Sequence, residues 1–223
     1  MDDSDRLKLA DAIVHATIFH QLEPKGGDSS IYFVFERINT GGIRLSSQEI
    51  RVCLNYGPFA QLLQEMNTYP KWRQIYGPLS KRLKDQELIL RFLAFYYRGS
   101  TYERPMNVFL NEFMEQQRKL DKRPPHQLQT IFTATIDVVA ESIGPKAFRP
   151  ISTLNAAVFD SVMVAIARRL SAGSIAKLDA IEKQYTALLK DTDYLESVTR
   201  STADEERVAN RMKLAQQYIS QAK

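Results

Sequence analysis

The sequence predicts a mainly α-helical, bundle-like domain with a short β/α segment at its N-terminus. Glycine and proline interrupt the chain at intervals suited to helices, and most segments between them carry apolar residues three and four positions apart. Hydrophobic residues make up 44% and charged residues 25% of the 223 positions, which is ordinary usage for a globular protein. This composition excludes a wholly disordered chain and a fibrous repeat.

The N-terminal part differs from the rest of the chain. Residues 13–20 are rich in β-forming side chains and end before Pro24, which predicts a short strand. A lone strand leaves its backbone groups unpaired, and no second convincing strand follows, so this prediction implies that a pairing partner exists elsewhere. We therefore assign residues 1–45 to the end of a β/α region and residues 46–223 to a helical domain.

The helical elements follow in order from their start and stop signals. Asp28 and the serines after it cap a helix predicted over residues 31–39, which Gly41 and Gly42 end. Ser46 and Glu49 form the pattern of a capping box, so a second helix begins at about Ser47, and a third begins near Phe59. Further helices are predicted over residues 85–97, 105–120, 124–143, 153–170 and 175–189, with a turn at 119–125 and a last helix opened by a second capping box at Thr202–Glu205.

Charge is distributed unevenly along the chain. Residues 71–104 hold eight basic and three acidic residues interleaved with aromatic ones, a mixture that fits contact with nucleic acid. The structural interpretation is also open, because Leu88, Ile89 and Phe92 fall at helical spacing and predict a buried stripe with the bases on a solvated face. The predicted nucleic-acid contacts are Lys71, Arg73, Lys81, Arg82 and Lys84.

Few residues suit a self-contained enzyme. The single cysteine, Cys53, excludes an internal disulfide and a cysteine-rich zinc site, and its neighbours Val52 and Leu54 predict a buried, inert thiol. The three histidines, His15, His20 and His126, are not clustered as a metal site requires. No apolar run reaches about 18 residues and no signal peptide is recognisable, so we expect a cytoplasmic protein that does not enter a membrane.

One segment combines polar residues with a glycine turn. It runs over residues 35–42 and continues over 45–51. Glycines allow close backbone approach, and an arginine near a helix N-terminus favours a bound phosphate or carboxylate, so the segment suits anion binding. The structural alternative is that the glycines cap a helix and that Glu36 and Arg37 pair with each other or with a neighbour.

This segment resembles the central motif of the GmrSD-type restriction family, which cuts modified DNA. Later stretches are also similar to the large N-terminal module of that family: residues 85–93, 106–114, 154–160 and 207–211. The resemblance spans nearly the whole chain. It corresponds to the C-terminal half of the module, which comprises the end of a ParB/sulfiredoxin-like nucleotide-binding region and a helical domain.

The resemblance implies a component or fragment of a prokaryotic restriction or phage-defence protein. The Asp-Gly-Gln-Gln-Arg signature and the HNH nuclease motif of that family do not occur in this sequence, so we expect no activity without a second polypeptide. That partner would be the N-terminal half or a nuclease subunit, with DNA, a nucleoside triphosphate and a divalent metal as further ligands.

The implied nucleotide-binding residues are Arg37, Asn39, Thr40, Gly41 and Gly42, supported by Glu36, Ser46, Glu49 and Arg51. A helical module that binds protein or nucleic acid without nucleotide chemistry is the alternative.

Overall fold

The described part of the chain is helical, as the sequence predicts. The computed structural model describes residues 2–13, 18, 29–38, 44–175 and 177–222, and these contain no β-strand. The strand predicted at residues 13–20 falls mostly outside the described residues. The two that are described, Ile13 and Ile18, belong to neither a helix nor a strand, so the strand stays a prediction.

The helices follow one another with short connections. One short 3₁₀-helix, Gly99–Thr101, follows the sixth α-helix. In chain order the α-helices are α1 (Asp3–Ala10), α2 (Ser29–Ile38), α3 (Ser47–Leu54), α4 (Pro58–Asn67), α5 (Pro70–Tyr76), α6 (Lys84–Arg98), α7 (Met106–Gln117), α8 (Pro125–Ser142), α9 (Ala156–Ser171), α10 (Leu178–Leu188), α11 (Thr192–Thr199) and α12 (Glu205–Ile219).

Helix α9 forms the centre of the domain. Every residue from Ala157 to Ala167 is buried. A helix that is buried on all sides must be surrounded by other elements, and α9 packs against α6, α8 and α12. Helix α12 in turn contacts α10 and α11, while α6 contacts α3, α4 and α7. The helices of residues 46–222 therefore share one core.

An aromatic cluster joins three of these helices. The indole ring of Trp72 in α5 lies 6.1 Å from the ring of Phe132 in α8 and 5.5 Å from that of Phe159 in α9, measured between centroids. The indole N–H is buried and donates to Asn67 Oδ1 at 2.9 Å. The cluster thus buries a large aromatic surface without leaving the indole donor unpaired.

The first two helices lie at the periphery. Helix α1 has no buried residue, and α2 contacts α3. Three apolar side chains of α2 are exposed, with exposed fractions of 44% at Ile31, 36% at Val34 and 60% at Ile38. Among residues whose burial is described, every buried apolar side chain lies at Ile50 or later. The boundary predicted between residues 45 and 46 stays a prediction.

Several local predictions need correction. Helices α1, α5 and α11 were not predicted; α11 begins where the Asp191 side chain accepts from the Tyr194 amide at 2.9 Å. The capping box predicted at Thr202–Glu205 is wrong, because Asp204 is the N-cap of α12 and makes no side-chain cap. Cys53 is exposed rather than buried, since α3 turns Ile50 and Arg51 inward instead.

Candidate functional site

The glycine-containing motif lies between α2 and α3. Asn39, Thr40, Gly41 and Gly42 fall outside the described residues, as does the side chain of Glu36. Arg37, in the last turn of α2, is exposed. Across the motif the two helices are joined by a hydrogen bond in which the Asn55 side-chain amide donates to the Tyr32 hydroxyl. The position of α3 is therefore coupled to that of α2.

The capping box at the start of α3 is confirmed. The Glu49 amide donates to Ser46 Oγ at 3.2 Å, and the Ser46 amide donates to Glu49 Oε2 at 2.6 Å. Arg82 ties this turn to the region before α6, because its Nε lies 3.2 Å from Glu49 Oε2 and its carbonyl accepts from Ser46 Oγ at 3.0 Å. Ser46 and Glu49 are thus held by contacts within the domain.

The electrostatics of Glu49 follow from these contacts. Partial burial acts to raise the pKa of this carboxyl. The hydrogen bonds from Ser46 and the charge of Arg82 outweigh that effect, so the pKa of Glu49 lies below its ordinary value. The carboxylate is the form that closes the capping box.

Arg51 of α3 lies at the centre of a polar network that joins α3 to α6 and α7. Its side chain is fully buried. Burial lowers the pKa of Arg51, while the nearby carboxylate of Glu87 acts to raise it. The guanidinium makes four hydrogen bonds: Nε to Asn111 Oδ1 at 2.7 Å, Nη1 to Gln48 Oε1 and Glu87 Oε2 at 2.9 Å each, and Nη2 to Asn107 Oδ1 at 2.8 Å.

A second group of buried charges lies at the centre of the domain. Arg91 donates two hydrogen bonds to the carboxylate of Asp160 in α9. Its Nε donates to Oδ1 at 3.0 Å, and its Nη2 donates to Oδ2. Arg211 of α12 approaches the same carboxylate with Nη2 at 3.6 Å and donates from Nη1 to the carbonyl of Thr202 at 2.6 Å. Asp160 and Arg211 are both fully buried. One buried carboxylate therefore faces two guanidinium groups.

Burial and pairing act oppositely on these arginines. Burial opposes the charge of Arg91, but the Asp160 carboxylate outweighs it, so the pKa of Arg91 is raised. Burial dominates at Arg211 and lowers the pKa of that group. Arg51 pairs with Glu87, whereas Arg91 and Arg211 share Asp160, so the second group carries a net positive charge when every member is ionised.

Most residues of these two groups were not predicted as a site. Arg51 was predicted as a supporting residue of an anion site. The other charged members and the two asparagines were not predicted as site residues. They fall in residues 85–93, 106–114, 154–160 and 207–211, the stretches singled out from the sequence. The members that only the structure brings together are Glu87, Arg91, Asn107, Asn111, Asp160 and Arg211.

The basic stretch at residues 71–104 is largely paired within the protein. Lys71 Nζ lies 2.6 Å from Glu141 Oε1 and 3.2 Å from Asp137 Oδ1. Arg73 Nη1 lies 2.9 Å from Asp85 Oδ2, and Arg82 pairs with Glu49 as described above. Two members of the predicted nucleic-acid surface, Lys81 and Lys84, are exposed and make no ion pair in the part that the structure describes.

The described residues show neither a metal cluster nor a membrane span. No three His, Cys, Asp or Glu side chains among them lie close enough together to hold a metal ion. None of the described helices is both long enough and apolar enough to cross a bilayer. No protein-family model, curated protein or solved structure matches this chain.

Proposed function

We propose that this chain is a component of a prokaryotic DNA-restriction or phage-defence protein and that residues 36–42 form one side of its nucleoside-triphosphate site. The helical domain holds this segment and presents it to a second polypeptide that completes the site. The observation that carries the proposal is the buried network around Arg51, because three of the separate stretches that resemble the restriction family meet there.

Residues from each of these stretches contact residues from another stretch. Arg51 belongs to the motif itself, Glu87 and Arg91 to residues 85–93, and the two asparagines to residues 106–114. Asp160 and Arg211 come from the last two stretches. Burying so many charges costs stability unless each is paired, so such a network serves to hold one arrangement of helices rather than to add stability. Here it sets the position of α3.

The motif residues take the following roles in this proposal. Arg37, which is exposed at the end of α2, pairs with a phosphate, for which a guanidinium fork is suited. Asn39 and Thr40 donate to phosphate or sugar oxygens, and Gly41 and Gly42 admit the phosphate close to the backbone. A divalent metal would enter with the nucleotide and neutralise its phosphate charge. Ser46 and Glu49 hold the helix start and make no contact with the ligand.

The apolar side of α2 supports the requirement for a second polypeptide. Ile31, Val34 and Ile38 lie on one side of the helix and are exposed, directly before the motif. An N-terminal-half polypeptide that packs on this side would bring its own residues to the opposite wall of the nucleotide site. A nuclease subunit bound elsewhere on the assembly would then cut the DNA.

Nucleotide titration tests the proposal. ATP and GTP with Mg²⁺ are titrated into the isotope-labelled chain at up to millimolar concentration, and amide NMR shifts are followed with and without the product of an adjacent reading frame. We expect shifts in residues 29–50 in the chain alone and a lower dissociation constant in the complex. Arg37→Ala should raise that constant about tenfold, which is about 1.4 kcal/mol, because it removes one charge-assisted hydrogen bond to phosphate.

The matched control is Arg200→Ala, which removes an exposed arginine from the end of α11. It should leave the dissociation constant unchanged. An unchanged constant in Arg37→Ala refutes the nucleotide assignment, and so does triphosphate hydrolysis by the chain alone, because a half-site should not turn over its ligand.

A further inference from the structure

A groove between α6, α8 and α9 lies apart from the motif and the buried network. Its volume is about 510 Å³, which is within the range of small-ligand sites. Apolar side chains, including Ile131 and Leu170, form part of its lining, and His126, Gln127 and Thr130 supply polar atoms. None of the described lining residues is acidic. The groove can therefore accept a flat, partly apolar ligand that also carries hydrogen-bonding groups.

Two tyrosines line one end of this groove, and an arginine outside the lining packs on one of them. The rings of Tyr96 and Tyr97 meet edge to face with centroids 4.9 Å apart, and the Tyr96 hydroxyl is 3.1 Å from Ser171 Oγ. The Arg123 guanidinium carbon lies over the Tyr97 ring, 4.2 Å from its centroid. Aromatic faces and arginine planes are the surfaces on which unpaired nucleobases stack.

The connection beside this end is basic. We name residues 118–123, between α7 and α8, the basic loop; it contains four basic residues and one acidic residue. None of its basic side chains, those of Arg118, Lys119, Lys122 and Arg123, makes an ion pair among the described residues. In contrast, six of the eight bases at residues 71–104 are paired with carboxylates. The basic loop therefore carries four positive charges, unpaired among the described residues, within six consecutive positions beside the aromatic end of the groove.

We propose that this groove and the basic loop bind single-stranded nucleic acid. A base stacks against Tyr96 or on the outer side of Arg123, and its edge bonds to His126, Gln127 or Thr130. The phosphates on either side contact Lys119, Lys122 and Arg118. A duplex does not offer such a base, because its bases are paired and stacked on one another. This inference does not depend on the proposed nucleotide site at residues 36–42.

Fluorescence anisotropy with a labelled oligothymidylate of about 12 nucleotides, a length typical of single-strand sites, tests the proposal. We expect saturable binding at low salt that weakens steeply as salt is added, and weaker binding of a duplex of equal length. Unlabelled thymidine monophosphate should not compete at comparable concentration, since it has only one phosphate. This competition experiment distinguishes binding of a nucleic-acid strand from binding of a free nucleotide.

Two double variants remove the same number of charges from different surfaces. Lys122→Ala with Arg123→Ala should raise the dissociation constant at least tenfold and reduce the salt slope by about 1.4, at about 0.7 for each phosphate of a single strand that is no longer neutralised. Lys81→Ala with Lys84→Ala removes two exposed lysines from the surface that the sequence predicted. This control should change the constant by less than about twofold.

Tyr96→Leu separates stacking from charge. It keeps an apolar side chain but removes the aromatic face, so we expect about tenfold weaker binding at an unchanged salt slope. Its circular dichroism melting curve should match that of the parent chain. If the variant is destabilised, the two double variants alone test whether the groove and the basic loop bind single-stranded nucleic acid. Absence of saturable binding overturns the proposal, as do equal effects of the two double variants, equal affinity for the duplex, or full competition by the mononucleotide.

Discussion

Asp160 is the residue on which the buried charges depend most. It is fully buried in the central helix α9 and faces both Arg91 and Arg211. Removing one partner of a buried ion pair leaves an uncompensated charge in a medium that solvates it poorly. Here the loss of a single carboxylate would leave two such charges.

We therefore expect Asp160→Asn to lower the free energy of unfolding by about 3–5 kcal/mol. The change preserves the size of the side chain, so the loss reports charge rather than a cavity. Urea denaturation followed by circular dichroism measures it. Asp121→Asn, an exposed acid in the basic loop, is the matched control and should change stability by less than about 0.5 kcal/mol. A loss below about 1 kcal/mol in Asp160→Asn would mean that the two arginines are compensated elsewhere.

Helix α3 shows how one carboxylate can serve a helix start and a tertiary contact. Glu49 closes the capping box with Ser46 and also pairs with Arg82 at 3.2 Å. The ion pair needs the ionised form, and the carboxylate also accepts a stronger hydrogen bond from the Ser46 amide than the protonated acid does. The pKa of Glu49 is below its ordinary value in the folded protein, so folding and ionisation of this group favour each other.

This coupling predicts a pH-dependent effect of Glu49→Gln. The stabilisation due to the carboxylate is fully present above the ordinary glutamate pKa and is lost as the pH falls through the lower folded-state value. The parent chain should thus exceed Glu49→Gln in unfolding free energy by about 1 kcal/mol near neutral pH, and the difference should shrink as the pH falls below the ordinary glutamate pKa.

Chemical denaturation across this pH range measures the difference. Glu115→Gln, at an exposed position in α7, should differ little from the parent chain at either end of the range. A difference for Glu49→Gln that is the same at every acidic pH at which the chains still fold would contradict a contribution from the carboxylate charge.

Across the whole molecule, burial decreases from the centre to the N-terminal helices. Helix α9 is buried from Ala157 to Ala167, whereas α1 has no buried residue and α2 exposes three apolar side chains. An isolated helix of eight residues, the length of α1, is only marginally stable in water. The local free energy of opening should therefore follow the same gradient.

Hydrogen–deuterium exchange tests this gradient. Amides of α9 should exchange only through global unfolding, and amides of α1 and α2 should exchange fastest among the described helices. Binding of the proposed second polypeptide should protect α2 selectively. Equal protection of α1 and α9 in the chain alone would contradict this account, since it would require contacts at α1 that the structure does not contain.

The helix positions and the capping box at Ser46 were predictable because their causes are local. Periodicity places α4 and α6–α10 to within a few residues, and a serine three residues before a glutamate marks the start of α3. Short helices such as α5 and α11 were missed because seven or eight residues carry too little periodicity. The exposed side chain of Cys53 was mispredicted because its apolar neighbours in sequence point in other directions around the helix.

Local pattern thus accounts for the helical class, the order of the long helices and the residues able to carry charge. Tertiary structure alone decided which charges meet: Arg51 reaches Asn111 across 60 positions of sequence, and Arg91 reaches Asp160 across 69. It also decided that most bases at residues 71–104 are paired while the basic loop is not. The physical reason is that periodicity depends on neighbours along the chain, whereas a charge pair depends on distance in space, which only the packing of helices around α9 sets.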